Sequence, residues 1–208
     1  MRVIGLTGSI GMGKSTTAAM FAEQGIPVFD ADAAVHALYA TGGEAVPLVE
    51  AAFPGVTKDG AVDREARRQA ILGAPEAIRR IGEIVHPLVH QKREAFFDAV
   101  RARKLEIAVL DVPLLLENGG DSIVDALVVV SSTPEIQRAR ALAREGMTPE
   151  RLDAILAQQM PDAEKRRRAD FVIDTSHGLE PARAQVAAVL EAVRDPAWVS
   201  RRKSLGDT

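Results

Sequence analysis

The sequence predicts an α/β fold in which a five-stranded parallel sheet is flanked by helices. Three observations carry this expectation. The stretch Gly8-Ser9-Ile10-Gly11-Met12-Gly13-Lys14-Ser15 fits G-x-x-x-x-G-K-[ST]. It lies between an apolar run, Val3 to Thr7, and a helical pattern, the strand–loop–helix context that a phosphate-binding loop requires. Five short apolar runs separated by helical segments recur along the chain, as in parallel strands buried on both faces. The connection between the second and third runs, about Ala31 to Lys104, is mostly helical and far longer than a plain crossover helix, so it reads as an inserted subdomain. The whole is a P-loop NTPase-type core with an inserted helical substrate domain and a helical lid.

Taken in order, Val3 to Thr7 is the first strand, and Thr16 to Gln24 is the first helix, with Ala18, Ala19, Phe21 and Ala22 as packing positions. Gly25 closes that helix as a C-cap. Ile26 to Asp30 is the second strand, with Pro27 at its start where a missing N–H is tolerated. After Asp30-Ala31-Asp32 a helix runs to about Ala40, Thr41-Gly42-Gly43 breaks it, and residues 44–53 are helical again. Pro54 to Val62 is rich in turn residues, with a tight turn at Lys58-Asp59-Gly60. Asp63 caps a helix to about Leu72, and Pro75 opens another to about Val85. Pro87 lacks an N–H and its ring clashes with the preceding turn, so a kink or break is expected at His86-Pro87 before a long helix to about Arg103.

Ile107 to Asp111 is the third strand, Asn118-Gly119-Gly120 a turn, and Ala126 to Val130 the fourth strand. Pro134 starts a helix that Gly146 ends, Thr148 caps one reaching about Met160, and the charged stretch 161–168 is helical. Phe171 to Asp174 is the last strand and Leu179 to Val193 the closing helix; the polar tail from Arg194 is expected to fray. The resulting division is a nucleotide-binding core (1–30, 105–135 and 169–193), an insertion (31–104), a lid (136–168) and a tail (194–208).

Composition bounds the function. The 208 residues are 47% hydrophobic and 26% charged, ordinary for a globular chain of one large domain or a core with one insertion. A formal net charge of −3 argues against nucleic acid or an anionic membrane as the main partner. The absence of cysteine excludes disulfides, thiolate zinc sites and cysteine nucleophiles, and no His/Asp/Glu group has zinc spacing. The N-terminal apolar run is too short for a secretory core, and no run approaches the ~18 apolar residues of a spanning helix. A cytoplasmic protein is therefore expected, as a monomer or weak homo-oligomer.

The phosphate loop carries the first chemistry. Its backbone N–H groups converge on phosphate oxygens, and the following helix adds its partial positive charge. Gly11, Met12, Gly13, Lys14, Ser15 and Thr16 are the expected ATP ligands; Lys14 reaches the β- and γ-phosphates and the Ser15 hydroxyl ligates Mg2+. Asp32, just after the second strand, fits two roles. It can take a proton from an attacking hydroxyl or hold Mg2+ through water, or it can serve as a helix N-cap; Asp30 points to the opposite side if the strand continues. Asp111, ending the third strand, can organise Mg2+ or form the turn before Pro113. Arg140 and Arg144, four apart on one helix face with Gly146 as a hinge, suit a mobile arm closing over the γ-phosphate. Of the basic residues 165–168 only Lys165 suits a ligand role. His86, beside the irregularity at Pro87, is a candidate contact for an acidic substrate.

These residues resemble the dephospho-coenzyme A kinase family. Gly5-Leu6-Thr7-Gly8-x-Ile10-Gly11-x-Gly13-Lys14-Ser15-Thr16 is similar to its opening, Asp30-Ala31-Asp32 to its second signature, His86-Pro87-Leu88 to its third and Pro113-Leu114-Leu115-Leu116-Glu117 to its fourth. Arg140, Arg144, Gln159 and Lys165 fall at matching lid positions, and Ala169-Asp170-x-Val172-Ile173-Asp174 resembles the closing strand, so the resemblance covers about residues 1–193. It implies transfer of phosphate from ATP to the ribose 3′-hydroxyl of dephospho-CoA. It also implies Asp32 as general base, Arg140 and Arg144 as transition-state clamps, and His86 and Glu117 as substrate contacts. The family often carries an Asn after the last strand, near the adenine; here the loop reads Thr175-Ser176-His177-Gly178 and only the Gly fits. The rivals are another small P-loop kinase, acting on a nucleotide or a shikimate-like acceptor, and a GTP-dependent switch, which needs an N-K-x-D that the chain lacks.

Overall fold

The computed structural model describes residues 1–204, with side chains to Arg202. In chain order it contains β1 (Arg2–Thr7), α1 (Lys14–Glu23), β2 (Val28–Asp30), α2 (Ala31–Tyr39), α3 (Ala45–Ala52), β3 (Thr57–Lys58), β4 (Ala61–Val62), α4 (Arg64–Ile71) and α5 (Pro75–Ala102). Then follow β5 (Ile107–Asp111), β6 (Ala126–Ser131), α6 (Pro134–Leu142), α7 (Pro149–Ala157), α8 (Asp162–Arg168), β7 (Phe171–Asp174), α9 (Leu179–Arg194) and the short α10 (Arg201–Ser204). The chain folds as two units, one of residues 1–29 and 100 onward, the other Asp30–Ala99.

The first unit is built on a five-stranded parallel sheet of order β2-β5-β1-β6-β7. β5 and β6 are apolar runs buried along their whole length, as expected of strands covered on both faces. Register aligns Leu6 with Asp111 and Thr7 with Val129, so β5 and β1 end side by side and β6 runs on beyond them to Ser131. On one face, Ile4, Leu6, Val128 and Val130 pack with Phe21 of α1 and Val186 and Leu190 of α9. On the other, Leu127 and Val129 pack with Leu115, Leu116 and Ala169. A side chain such as Phe21, wholly buried, contributes about 2–3 kcal/mol through apolar area removed from water.

An ion pair ties the segment after β5 to α8. Lys165 is fully buried in α8, and its Nζ lies 2.8 Å from Glu117 Oε1 and 3.5 Å from the Pro113 carbonyl. The same Glu117 oxygen accepts the Met160 N–H at 2.8 Å. Burial alone would push the Glu117 carboxyl up, but the hydrogen bonds from Lys165 and the Met160 N–H outweigh it and hold the group below the usual carboxylate range.

The chain beyond α9 departs from the expectation of a fraying tail. Trp198 stacks on Phe171 with ring centroids 5.5 Å apart. The buried Asp170 carboxylate accepts from Ser200 Oγ at 2.6 Å and the Arg201 N–H at 2.9 Å, and pairs with Arg202 at 3.0 Å. It also accepts the Leu127 N–H of β6, so this part of the expected tail is pinned to the sheet. Residues 205–208 lie outside the described residues.

The second unit packs α2, α3, α4 and most of α5 around Leu38, Ala45, Val49, Val56 and Val85. Asp30 caps α2 by accepting the Ala33 N–H at 2.9 Å, and Asp63 caps α4 through the Ala66 N–H at 2.7 Å. The segment read only as turn-rich contains a small antiparallel hairpin, β3 with β4, around Asp59 and Gly60 at positive φ. The expected break at Pro87 is absent, and α5 runs continuously through it. An interior proline costs a helix about 3 kcal/mol. Here Ile81, Ile84, Val85, Leu88 and Val89, on both sides of it, all bury against the unit's core, while Pro87 itself faces solvent. Tertiary packing on one face outweighs the local penalty on the other.

Pro87→Ala should raise stability by about 2 kcal/mol, the interior-proline penalty less the unfolded-chain entropy that proline removes. An unchanged urea midpoint would contradict this reading of α5. Glu117→Gln should lose about 3 kcal/mol at neutral pH, because Lys165 is left buried without its counter-charge. The wild-type contribution is complete above the ordinary glutamate value of 4.5 and drains as pH falls from there through the lowered folded value. The gap in urea midpoint between wild type and variant should therefore narrow below that pH; a constant gap would count against the pair.

Candidate active site

The loop between β1 and α1 curls at the carboxyl edge of the central strand. A Cβ on Gly8 would stand 2.7 Å from the Val130 carbonyl oxygen, and one on Gly11 would stand 2.5 Å from that of Gln137. Gly11 also holds φ at 79°, so both the conformation and the close approach require glycine. Side chains from distant segments then clamp the backbone. Gln159 Oε1 accepts the Ile10 N–H at 3.1 Å, Gln137 Nε2 donates to the Ile10 carbonyl at 2.9 Å, and Thr175 Oγ1 donates to the Met12 carbonyl at 2.9 Å. The helix begins at Lys14 without a side-chain cap at Gly13, leaving its first N–H groups directed at the loop.

Lys14 and Asp111 meet at this edge. Nζ lies 2.5 Å from Asp111 Oδ1, and the Asp111 side chain is only 3% exposed. The register that sets Leu6 beside Asp111 delivers the carboxylate to the loop, so Asp111 takes the ion-pairing position rather than serving only as a turn former. Ser15 and Thr16 are exposed in the first turn of α1. Ser15 and Asp111 offer oxygen donors only, which suits a hard cation such as Mg2+ held largely by phosphate oxygens.

Beside the loop a cavity of about 280 Å³ is lined by Gly13, Thr16, Met20, Arg140, Gly178 and Leu179, among others. Arg140 is committed here: its guanidinium donates to Thr175 Oγ1 at 2.8 Å and to the Thr175 carbonyl at 2.9 Å. The expected shared helix face of Arg140 and Arg144 does not form, because α6 stops at Leu142, short of Gly146. Arg144 follows in a turn, its N–H bonded to the Ala141 carbonyl, and its side chain is exposed. The loop that lacks the family's Asn is organised by other groups. Asp174 accepts the Ser176 N–H at 2.8 Å, and Ser176 Oγ accepts the Thr133 N–H at 3.1 Å. Hydrogen bonds from Ser176 hold the Asp174 carboxyl below the usual range.

In the second unit, the choice between the paired aspartates is resolved at the level of the cap. Asp30 performs it, and the Asp32 carboxylate, in the first turn of α2, has no hydrogen-bond partner among the described residues; it is exposed and lines a cleft of about 570 Å³ with His36, Tyr39, Arg64 and Arg67. His86 is exposed on α5. Glu117, expected as a substrate contact, has one oxygen committed to Lys165 and Met160.

Sequence reasoning missed Gln137, Thr175, Arg64 and Arg67. Gln137 had one signal, a polar residue one helical turn from Ala141 on the buried face of α6. Thr175 had another, its place just beyond the carboxyl end of a strand, where open α/β sheets bind ligands.

A family model for dephospho-CoA kinase (CoaE) matches residues 2–180. A dephospho-CoA kinase of Rhodopseudomonas palustris (strain HaA2) is 60% identical over 192 residues, covering 92% of this chain and 96% of the relative. One from Bradyrhizobium diazoefficiens is 58% identical over 197 residues, covering 94% and 98%. Among solved structures, TT1252 from Thermus thermophilus superposes with a TM-score of 0.80 at 29% identity, covering 93% of this chain and 97% of its own. A Campylobacter jejuni dephospho-CoA kinase, with a TM-score of 0.63 at 20% identity over 91% of this chain and 96% of its own, shares the fold. These matches extend over nearly the whole chain and include its phosphate loop, and the chain belongs to the dephospho-CoA kinase family.

Proposed function

We propose that this chain transfers the γ-phosphoryl group of ATP to the ribose 3′-hydroxyl of dephospho-CoA, giving CoA and ADP, the last step of coenzyme A biosynthesis. The observation that supports it most is the freedom of Asp32. With Asp30 occupied as the cap, Asp32 presents an unpaired carboxylate to a cleft large enough for a nucleotide-like acceptor. Asp32 takes the proton of the 3′-hydroxyl as that oxygen forms its bond to the γ-phosphorus. The bridging bond to the β-phosphate breaks and ADP leaves. The N–H groups of the clamped loop and the Lys14 ammonium bear the charge on the β- and γ-phosphates, with Asp111 holding Lys14 at the mouth of the loop. Arg144, whose guanidinium has no partner among the described residues, is the one we assign to the transferring group, and Arg140 with Thr175 forms the wall of the nucleotide cavity.

Ser15 and Asp111 would hold Mg2+ with the nucleotide, where the ion supplies charge neutralisation across the β- and γ-phosphates. No helix among the described residues is long and apolar enough to cross a membrane. We read the enzyme as cytoplasmic, acting on a soluble small molecule as a monomer or weak homo-oligomer without nucleic-acid or membrane partners.

Coupled ADP release should require dephospho-CoA; release with a nucleoside monophosphate or shikimate instead would assign a different acceptor. Asp32→Ala should lower kcat by roughly 10²–10⁴-fold with nucleotide affinity unchanged, as expected for loss of a general base. Turnover at the wild-type rate would remove Asp32 from that role. Lys14→Ala should weaken ATP binding and turnover together, and unaltered kinetics would undercut the loop's role as the phosphate site.

A further inference from the structure

The cleft that contains Asp32 has a cationic wall that the reaction described above does not use. Arg64 and Arg67 are three residues apart on α4, so they share a helix face, and both line the cleft. Arg68 beside them holds the Glu65 carboxylate at 2.7 Å, and Asp63 is committed to the Ala66 N–H as the cap of α4. Neither the Arg64 nor the Arg67 guanidinium makes a hydrogen bond or close ion pair among the described residues. Arg67 is laid over the Tyr39 ring, its guanidinium carbon 4.4 Å from the centroid, and its Nε is buried without an acceptor. A guanidinium held flat on an aromatic face is fixed in orientation and leaves its fork free for a bidentate anion. A buried donor without a partner is costly unless a ligand supplies the acceptor. The cleft thus has a carboxylate and two guanidiniums without hydrogen-bond partners lining the same volume.

A nucleoside carrying a 3′-hydroxyl and a 5′-diphosphate on one ribose has the matching charge pattern. Its hydroxyl goes to the acid, and its two negative charges go to the arginines. We propose that Arg64 and Arg67 form the subsite for the 5′-diphosphate of the acceptor, and so select a nucleoside 5′-diphosphate ester over an uncharged nucleoside. The assignment rests on the proposed reaction at Asp32 and names which residues recognise its acceptor.

The test uses the full chain with Arg64→Gln, Arg67→Gln and the double variant, assayed at saturating ATP. Each single change should raise the KM for dephospho-CoA about tenfold and the pair about a hundredfold, with kcat and the KM for ATP within about twofold of wild type. Inorganic pyrophosphate, added while ATP saturates the donor site, should compete with dephospho-CoA in the wild type and lose that competition in the double variant. A KM for dephospho-CoA unchanged in the variants, equal rises in both substrates' KM, or pyrophosphate competition that persists in the double variant would each overturn the subsite. Arg64 is exposed, so Arg64→Gln decides the matter alone should Arg67→Gln fail to fold. A wild-type chain inert toward dephospho-CoA would instead overturn the acceptor reading itself, while an active wild type with indifferent variants leaves that reading standing.

Discussion

The fold of the nucleotide-binding unit depends on a shortage of space around the phosphate loop. At Gly8 and Gly11 the backbone passes so close to the carbonyls of Val130 and Gln137 that no side chain fits. That contact brings the end of β6 and the body of α6 directly against the loop. It also lets Gln137, Gln159 and Thr175 hold the Ile10 and Met12 peptide groups by hydrogen bonds. The loop's shape is therefore set by chain segments more than a hundred residues away, and its N–H groups are oriented before any phosphate arrives. Preorganised donors of this kind need no reorganisation as charge moves during transfer.

The same economy governs the charged groups. Parallel register places Asp111 level with Leu6, where its buried carboxylate finds Lys14. Glu117 neutralises the fully buried Lys165, and Glu117 also fixes Met160, the neighbour of the Gln159 that holds Ile10. Asp30 satisfies the start of α2 and so leaves Asp32 unencumbered. In each case the group left for chemistry is defined by what its neighbour has already taken.

Much of this was legible from local rules. The strand ends at Asp111 and Asp174, the caps at Asp63 and Thr148 and the helix start at Pro134 follow from apolar runs and N-terminal helix chemistry acting over a few residues. Local rules failed where a distant surface outweighed them. Pro87 should interrupt a helix, but the apolar residues on both sides bury against one core. The segment after Arg194 is polar and looks unattached, yet Asp170 and Phe171 supply a buried carboxylate and an aromatic face for it. The helix bearing Arg140 ends before Arg144, which separated two arginines that spacing alone had joined.

The amino-acid sequence by itself determined the phosphate loop, the order of strands and helices, and the presence of a large helical insertion. Those depend on periodicity and on motifs whose physics is contained in about ten neighbouring residues. Only the tertiary structure decided which aspartate is free, what Arg140 holds, and that Arg64 and Arg67 share a cleft with Asp32. Whether a polar side chain is spent on its own fold or left for a ligand depends on partners brought together from remote parts of the chain, and spacing along the chain carries no record of them.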